Sequence, residues 1–162
     1  MGIFIAGTDT SVGKTLVSGL LARYVNEASG NAVVQKWIQT GSAPLAEDVV
    51  EHFSLMKKDM NIFLKENAID FDVLCPYCFK LPASPHLAAK KENVEIEKNK
   101  IIDAYRLLEE KFETVFVEGA GGALVPYSDD YFILDIVSEL EMPVIVVSEN
   151  KLGSINRALC TI

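Results

Sequence analysis

The chain is short of positive charge, short of cysteine and without a long apolar run, and each shortage closes off a class of function. Fifteen basic side chains against 23 acidic ones leave a net charge of −8 over 162 residues. A surface of that sign repels phosphate backbones and anionic bilayers, so neither nucleic acid nor membrane is expected as a partner, while a local basic pocket for a small anion such as ATP stays open. Three cysteines, an odd number, do not build a disulfide framework. No apolar stretch reaches the length of a membrane span, and no basic region precedes the short apolar start as in a secretory signal. Ala6 stands where an N-myristoylation motif needs Ser or Thr. The expectation is a cytoplasmic protein with small-molecule partners. Repeats, low-complexity tracts and interdomain linkers are also lacking, and 49% hydrophobic content is ample for one core, so residues 1–162 are expected to form a single domain.

What is present is concentrated in residues 7–15, Gly-Thr-Asp-Thr-Ser-Val-Gly-Lys-Thr. They join an apolar strand, Ile3 to Ala6, to an amphipathic helix with Leu16, Leu20 and Tyr24 on one stripe. A loop of this kind cradles phosphate: Gly13 lets the backbone approach, and the amides at a helix N-terminus carry about half a positive charge. Lys14 adds a mobile charge, and Thr15 offers a hydroxyl to Mg²⁺. Against the P-loop pattern Gly-x-x-x-x-Gly-Lys-Ser/Thr, the first glycine position holds Thr8, with Gly7 one residue earlier.

Further strands are expected at Ala32–Gln35, Val73–Phe79, Thr114–Val117 and Pro143–Ser148, alternating with helical patterns. Ile101, Tyr105, Leu108 and Phe112 recur at helical spacing, as do Ile133, Ile136, Val137 and Leu140, and both read as core-facing stripes. Lys90 to Lys100 reads as a solvated loop and helix start. The fold class is therefore α/β, a mostly parallel sheet with helices on both faces, P-loop NTPase-like. Cys75-Pro76-Tyr77-Cys78 matches a glutaredoxin active site in letters, but it sits mid-chain in extended sequence rather than at a helix start, so two packed thiols are expected. A zinc site lacks a second ligand pair.

Ligands collect at the carboxyl ends of parallel strands, and those ends are polar here. Lys36 to Gly41 follow the second strand, with Glu47 and Asp48 in the next loop. Glu118-Gly119-Ala120-Gly121-Gly122 follow the fourth and Asn150 to Asn156 the fifth. Taken singly, Lys36 could be a solvated strand end, Asp48 a helix cap and the glycine cluster a tight turn. Together, Lys14 and Lys36 bring positive charge to phosphates, while Thr15, Asp48 and Glu118 are hard oxygen ligands for Mg²⁺, the parts that phosphoryl transfer needs.

These motifs resemble the dethiobiotin synthetase family from the first strand to Ile162: GTDTSVGKT, Lys36 to Gly41 (KWIQTG), Pro76-Tyr77 with Phe79, Pro82 with Ser84-Pro85-His86, EGAGG at Glu118 to Gly122, and LGSIN at Leu152 to Asn156. The resemblance implies carboxylation and ring closure of 7,8-diaminopelargonic acid with CO₂ or bicarbonate, driven by Mg²⁺ and ATP, in a homodimer with the substrate site at its interface. It implies Lys36 and Lys14 as catalytic residues. ATP falls to Thr10, Ser11, Val12, Gly13, Lys14, Thr15, Leu16, Asp48, Glu118, Gly119, Ala120 and Gly121. Thr40, Gly153 and Ser154 take substrate, and Thr15, Asp48 and Glu118 hold the metal. Trp37 stands where the family usually has proline, and Arg157 where it has histidine. The family continues past this point with a strand and adenine-binding loops, so the expectation is a P-loop domain lacking those parts. Two other readings stay open: a P-loop ATPase of the partition or regulatory type, whose second loop lysine is missing here, and a catalytically silent nucleotide-binding fragment.

Overall fold

Four of the five expected strands form where the apolar runs stand. The structure, a computed structural model, describes residues 1–28 and 30–162. Strands β1 (Gly2–Gly7), β2 (Ala32–Lys36), β5 (Thr114–Glu118) and β6 (Val144–Val147) make one parallel sheet in the order β2-β5-β1-β6. Neighbouring residues on a strand point to opposite faces. Val33 and Val34 are both buried, as are Val115, Phe116 and Val117, so helices cover both faces.

The helices are α1 (Lys14–Ala28), α2 (Glu47–Met56), α3 (Met60–Asn67), α4 (Phe71–Leu74), α5 (Pro85–Lys91), α6 (Lys98–Lys111), α7 (Ile133–Glu139) and α8 (Ser154–Thr161). Ile101, Tyr105 and Leu108 of α6 are buried as their spacing predicts, and so are Ile133, Ile136 and Val137 of α7, with Leu140 at its end packed against the core. Lys90 and Lys91 close α5 and Lys98 opens α6, so only the middle of that charged run is loop. Among the described residues no helix is long and apolar enough to cross a membrane.

Two expectations are corrected. Val73–Phe79 is not one strand: Phe71–Leu74 turn as α4, and only Tyr77–Phe79 (β4) extend, pairing in parallel with β3 (Ile38–Thr40) as a separate two-stranded sheet. An all-apolar run has no periodicity to separate a strand from a buried helical turn. Here Gln35 Nε2 donates to the Val73 carbonyl at 2.8 Å, and Pro76 contributes no amide hydrogen. The second correction concerns α1. Its stripe of Leu16, Leu20 and Tyr24 faces outward, at 48%, 43% and 71% exposure, while the buried face is Ser18, Gly19 and Ala22. The helix is laid against α2 at close range, because a β-carbon on Gly19 would stand 2.7 Å from the Leu55 side chain. Gly19 and Ala22 line this close contact, Val17, Leu21 and Val25 pack half-buried against the core, and Leu16, Leu20 and Tyr24 turn out.

Candidate active site

Register brings the first pair together. Lys36, the last residue of β2, lies directly beside Glu118, the last of β5, at the carboxyl edge of the sheet where β1 runs into its loop. In that loop Ser11 and Gly13 have left-handed backbone, with φ of 58° and 100°. Only glycine takes the second value without strain. Gly7 has a different function. A β-carbon there would meet Lys14 Nζ and the Asp9 carbonyl, both at 2.8 Å. The glycine one place ahead of the usual position thus makes room for Lys14 to fold back and donate to the Asp9 carbonyl at 3.0 Å.

Glu118 is the hub. Its Oε1 accepts from Lys36 Nζ at 2.6 Å and from Thr15 Oγ1 at 3.2 Å. Its Oε2 accepts from His52 Nε2 at 2.6 Å and from Ser18 Oγ at 3.3 Å. Lys36 also reaches Asp48 Oδ2 at 2.7 Å and the Gly119 carbonyl at 3.2 Å. Gly119 must be small, since a β-carbon would lie 2.7 Å from the Phe4 ring. Burial resists ionisation of Glu118, but the Lys36 charge and the His52 hydrogen bond outweigh it and hold the carboxyl down to about 2. Burial likewise works against the Lys36 ammonium, and the charges of Glu118 and Asp48 outweigh it, so its pKa is raised. Lys14 moves the other way: burial first, then the Lys36 charge, lower it.

Most of the expected residues converge on one cleft of about 390 Å³, lined by Thr10, Ser11, Gly13, Lys14, Thr15 and Leu16 from the loop and α1, with Lys36, Thr40, Asp48, Glu118, Ala120 and Gly121. A neighbouring cleft of about 570 Å³ shares Thr10, Thr40, Ala120 and Gly121 with it and is closed by Pro82, Ser84 and Pro85. Val12 is buried beneath the loop and Gly119 contributes its carbonyl to Lys36. Gly153 and Ser154 stand apart, at the start of α8, outside both linings. That helix is tied to the loop by Arg157 Nη1 and Asp9 Oδ2 at 3.1 Å, an exposed pair worth little by itself. Cys75 and Cys78 are free thiols that donate to the carbonyls of Tyr77 and Ser42.

Sequence reasoning missed Ser18 and His52. Neither belongs to a loop motif. His52 follows Asp48 by four residues on α2, a spacing that puts both on one helix face once Asp48 is suspected. Gln39 and Glu51 also line the main cleft.

Among the described residues no group of three or more His, Cys, Asp and Glu side chains is arranged to hold a metal alone. A Mg²⁺ ion that arrives with a nucleotide takes one or two carboxylates, a hydroxyl and phosphate oxygens. Thr15, Asp48 and Glu118 are a donor set of that kind.

A family model described as an AAA domain matches residues 1–162. The chain is 42% identical over 160 residues to the ATP-dependent dethiobiotin synthetase BioD 2 of Haemophilus influenzae, covering 99% of this chain and 81% of that protein. It is 39% identical to the protein of the same name from Haemophilus ducreyi, over 99% of this chain and 74% of the relative. With the ATP-dependent dethiobiotin synthetase BioD of Chlorobaculum tepidum it shares 40% identity, over 98% of this chain and 64% of the relative.

Proposed function

Since the chain belongs to the dethiobiotin synthetase family, ATP-dependent ligases that form a C–N bond, we propose that its two adjoining clefts bring ATP and a carbamate of 7,8-diaminopelargonic acid together at their shared wall. One amine of the diamine attacks CO₂, loses a proton and becomes a carbamate. A carbamate oxygen then attacks the γ-phosphorus of ATP, releasing ADP and leaving a carbamic-phosphoric anhydride. The second amine attacks the carbonyl carbon, phosphate departs with the C–O bonding pair and takes up the proton that the amine loses, and the ureido ring closes.

The loop from Thr10 to Gly13 holds phosphates with its amides, and Lys14 neutralises them. Val12 and Leu16, with Gly119, Ala120 and Gly121, complete the nucleotide site. Lys36 places its charge between the carbamate and the γ-phosphate. Thr40, which lines both clefts, hydrogen-bonds the diamine. Thr15, Asp48 and Glu118 would hold Mg²⁺, whose chemistry is to neutralise charge on the phosphate oxygens. Lys36 now bridges the same two carboxylates, so binding of Mg·ATP requires it to turn toward the substrate. Gly153 and Ser154 act across a homodimer: the α8 N-terminus of a second copy takes the distant carboxylate of the diamine. The reaction is placed in the cytoplasm.

The observation that carries this reading is the pair of clefts with Thr10, Thr40, Ala120 and Gly121 common to both. In-line phosphoryl transfer needs donor and acceptor sites that touch. Incubation with ATP, Mg²⁺, bicarbonate and the diamine should yield dethiobiotin by mass spectrometry, with phosphate release that depends on the diamine. Lys36→Ala should cut kcat by about 10²–10³ while ATP binding stays within about threefold. Diamine-independent phosphate release, or equal loss of ATP affinity in the variant, overturns it.

A further inference from the structure

Helix α2 sends two side chains to the carboxylate site. Asp48 and His52 are four residues apart and share a face. Asp48 reaches Lys36, and His52 reaches the far side of Glu118, 2.6 Å from Oε2. The imidazole is 0% exposed. Its Nε2 also lies 3.2 Å from Ser18 Oγ, whose hydroxyl is itself 2.8 Å from the Lys14 carbonyl. An ionised carboxylate only accepts, so the proton between the two groups sits on Nε2.

The other ring nitrogen is the informative one. Nδ1 of His52 is buried without a hydrogen-bond partner. An orphaned polar atom costs stability, so a site selected only for packing would do better with leucine, and the imidazole needs an explanation in what Nε2 does. What Nε2 does is specific. With Oε2 held by His52 Nε2 and the Ser18 proton directed to the nearer Lys14 carbonyl, His52 is the donor that fixes the carboxylate, and Oε1 is the oxygen that faces Lys36 and Thr15.

We propose that His52 is a positioning residue that locks Glu118 from behind, so that a single oxygen, Oε1, is presented to the Mg²⁺ carried by ATP. This rests on the role given to Glu118 above. Partners of this sort orient a ligand without touching the metal, and their removal typically costs 10–100-fold in affinity or activity, so about tenfold is expected here.

ATP affinity measured by calorimetry, once with Mg²⁺ and once with EDTA, tests it independently of turnover. His52→Leu removes the donor at similar volume. His52→Gln places an amide donor where Nε2 stands, and His52→Asn, a polar control, is too short to reach. In EDTA all variants should bind ATP within about twofold of the parent. The gain from Mg²⁺ should fall about tenfold in the Leu and Asn variants and return to within about threefold of the parent in the Gln variant. A full magnesium gain in the Leu and Asn variants, an equal loss in Gln, or a parallel fall in EDTA overturns the proposal. A parent with no magnesium gain removes the role from Glu118 and His52 together. A parent that gains affinity from Mg²⁺ but makes no dethiobiotin refutes the synthetase mechanism and leaves the assignment of His52 standing.

Discussion

At Glu118 burial and neighbouring charge oppose each other, and the outcome sets how the protein responds to acid. Its carboxyl has an ordinary value of 4.5 when exposed and about 2 in the fold. The folded value is depressed, so this group contributes stability that is fully present above about pH 4.5 and is lost as pH falls toward 2. Urea unfolding at a series of pH values should therefore steepen through that window in the parent, and Glu118→Gln should flatten the slope there. Identical slopes in the two proteins would show that Lys36 and His52 do not hold the carboxylate as described. The residues of this site differ in how legible they were. Thr15, Lys36, Asp48 and Glu118 announce themselves, because polar groups at the ends of apolar strands or beside a phosphate loop are unusual. Ser18 and His52 do not. Each lies inside a helix, and only the packing of α1 on α2 brings them to Glu118.

Within single elements, periodicity predicts that a helix forms more securely than it predicts which face turns inward. Helix α6 follows its stripe, whereas α1 turns Leu16, Leu20 and Tyr24 outward and packs Val17, Leu21 and Val25 half-buried, with Gly19 admitting the close approach of Leu55 from α2. Leu20→Lys and Tyr24→Lys should consequently leave stability within about 0.5 kcal/mol of the parent, as for surface positions generally. Gly19→Val, which drives a side chain into Leu55, should lower stability by about 1–3 kcal/mol, as is typical of overpacking, and with it the melting temperature. Thermal denaturation distinguishes the two, and a large loss from the lysine variants would mean that the outer stripe is covered in solution. The apolar segment from Val73 to Phe79 illustrates the complementary limit, since its division into a helical turn and a short strand depends on Gln35 of a distant strand.

Across the whole molecule the alternation of strands and helices was enough to give a parallel sheet covered on both faces, and with it the edge at which the functional side chains gather. The separate pairing of β3 with β4 was not legible, because three-residue strands carry no periodic signal. On α8, Leu152 just before the helix and Ile155 and Leu159 within it are exposed, and the homodimer proposed for Gly153 and Ser154 would cover this face. Light scattering should return twice the chain mass of 17.8 kDa, and Ile155→Asp should reduce it to one; a single-chain mass for the parent removes the two-fold arrangement proposed for Gly153 and Ser154. The link between β2 and β3 carries one more consequence. Trp37 is the chain's sole tryptophan, 0% exposed, adjacent to Lys36 and 5.6 Å from the Phe4 ring, with its indole nitrogen donating to Gln35. An indole sealed from water emits at short wavelength, and it responds when neighbouring charge moves. The protein therefore contains its own optical probe: the turn proposed for Lys36, away from Asp48 and Glu118, should register as a change in intrinsic fluorescence, without a label and in real time.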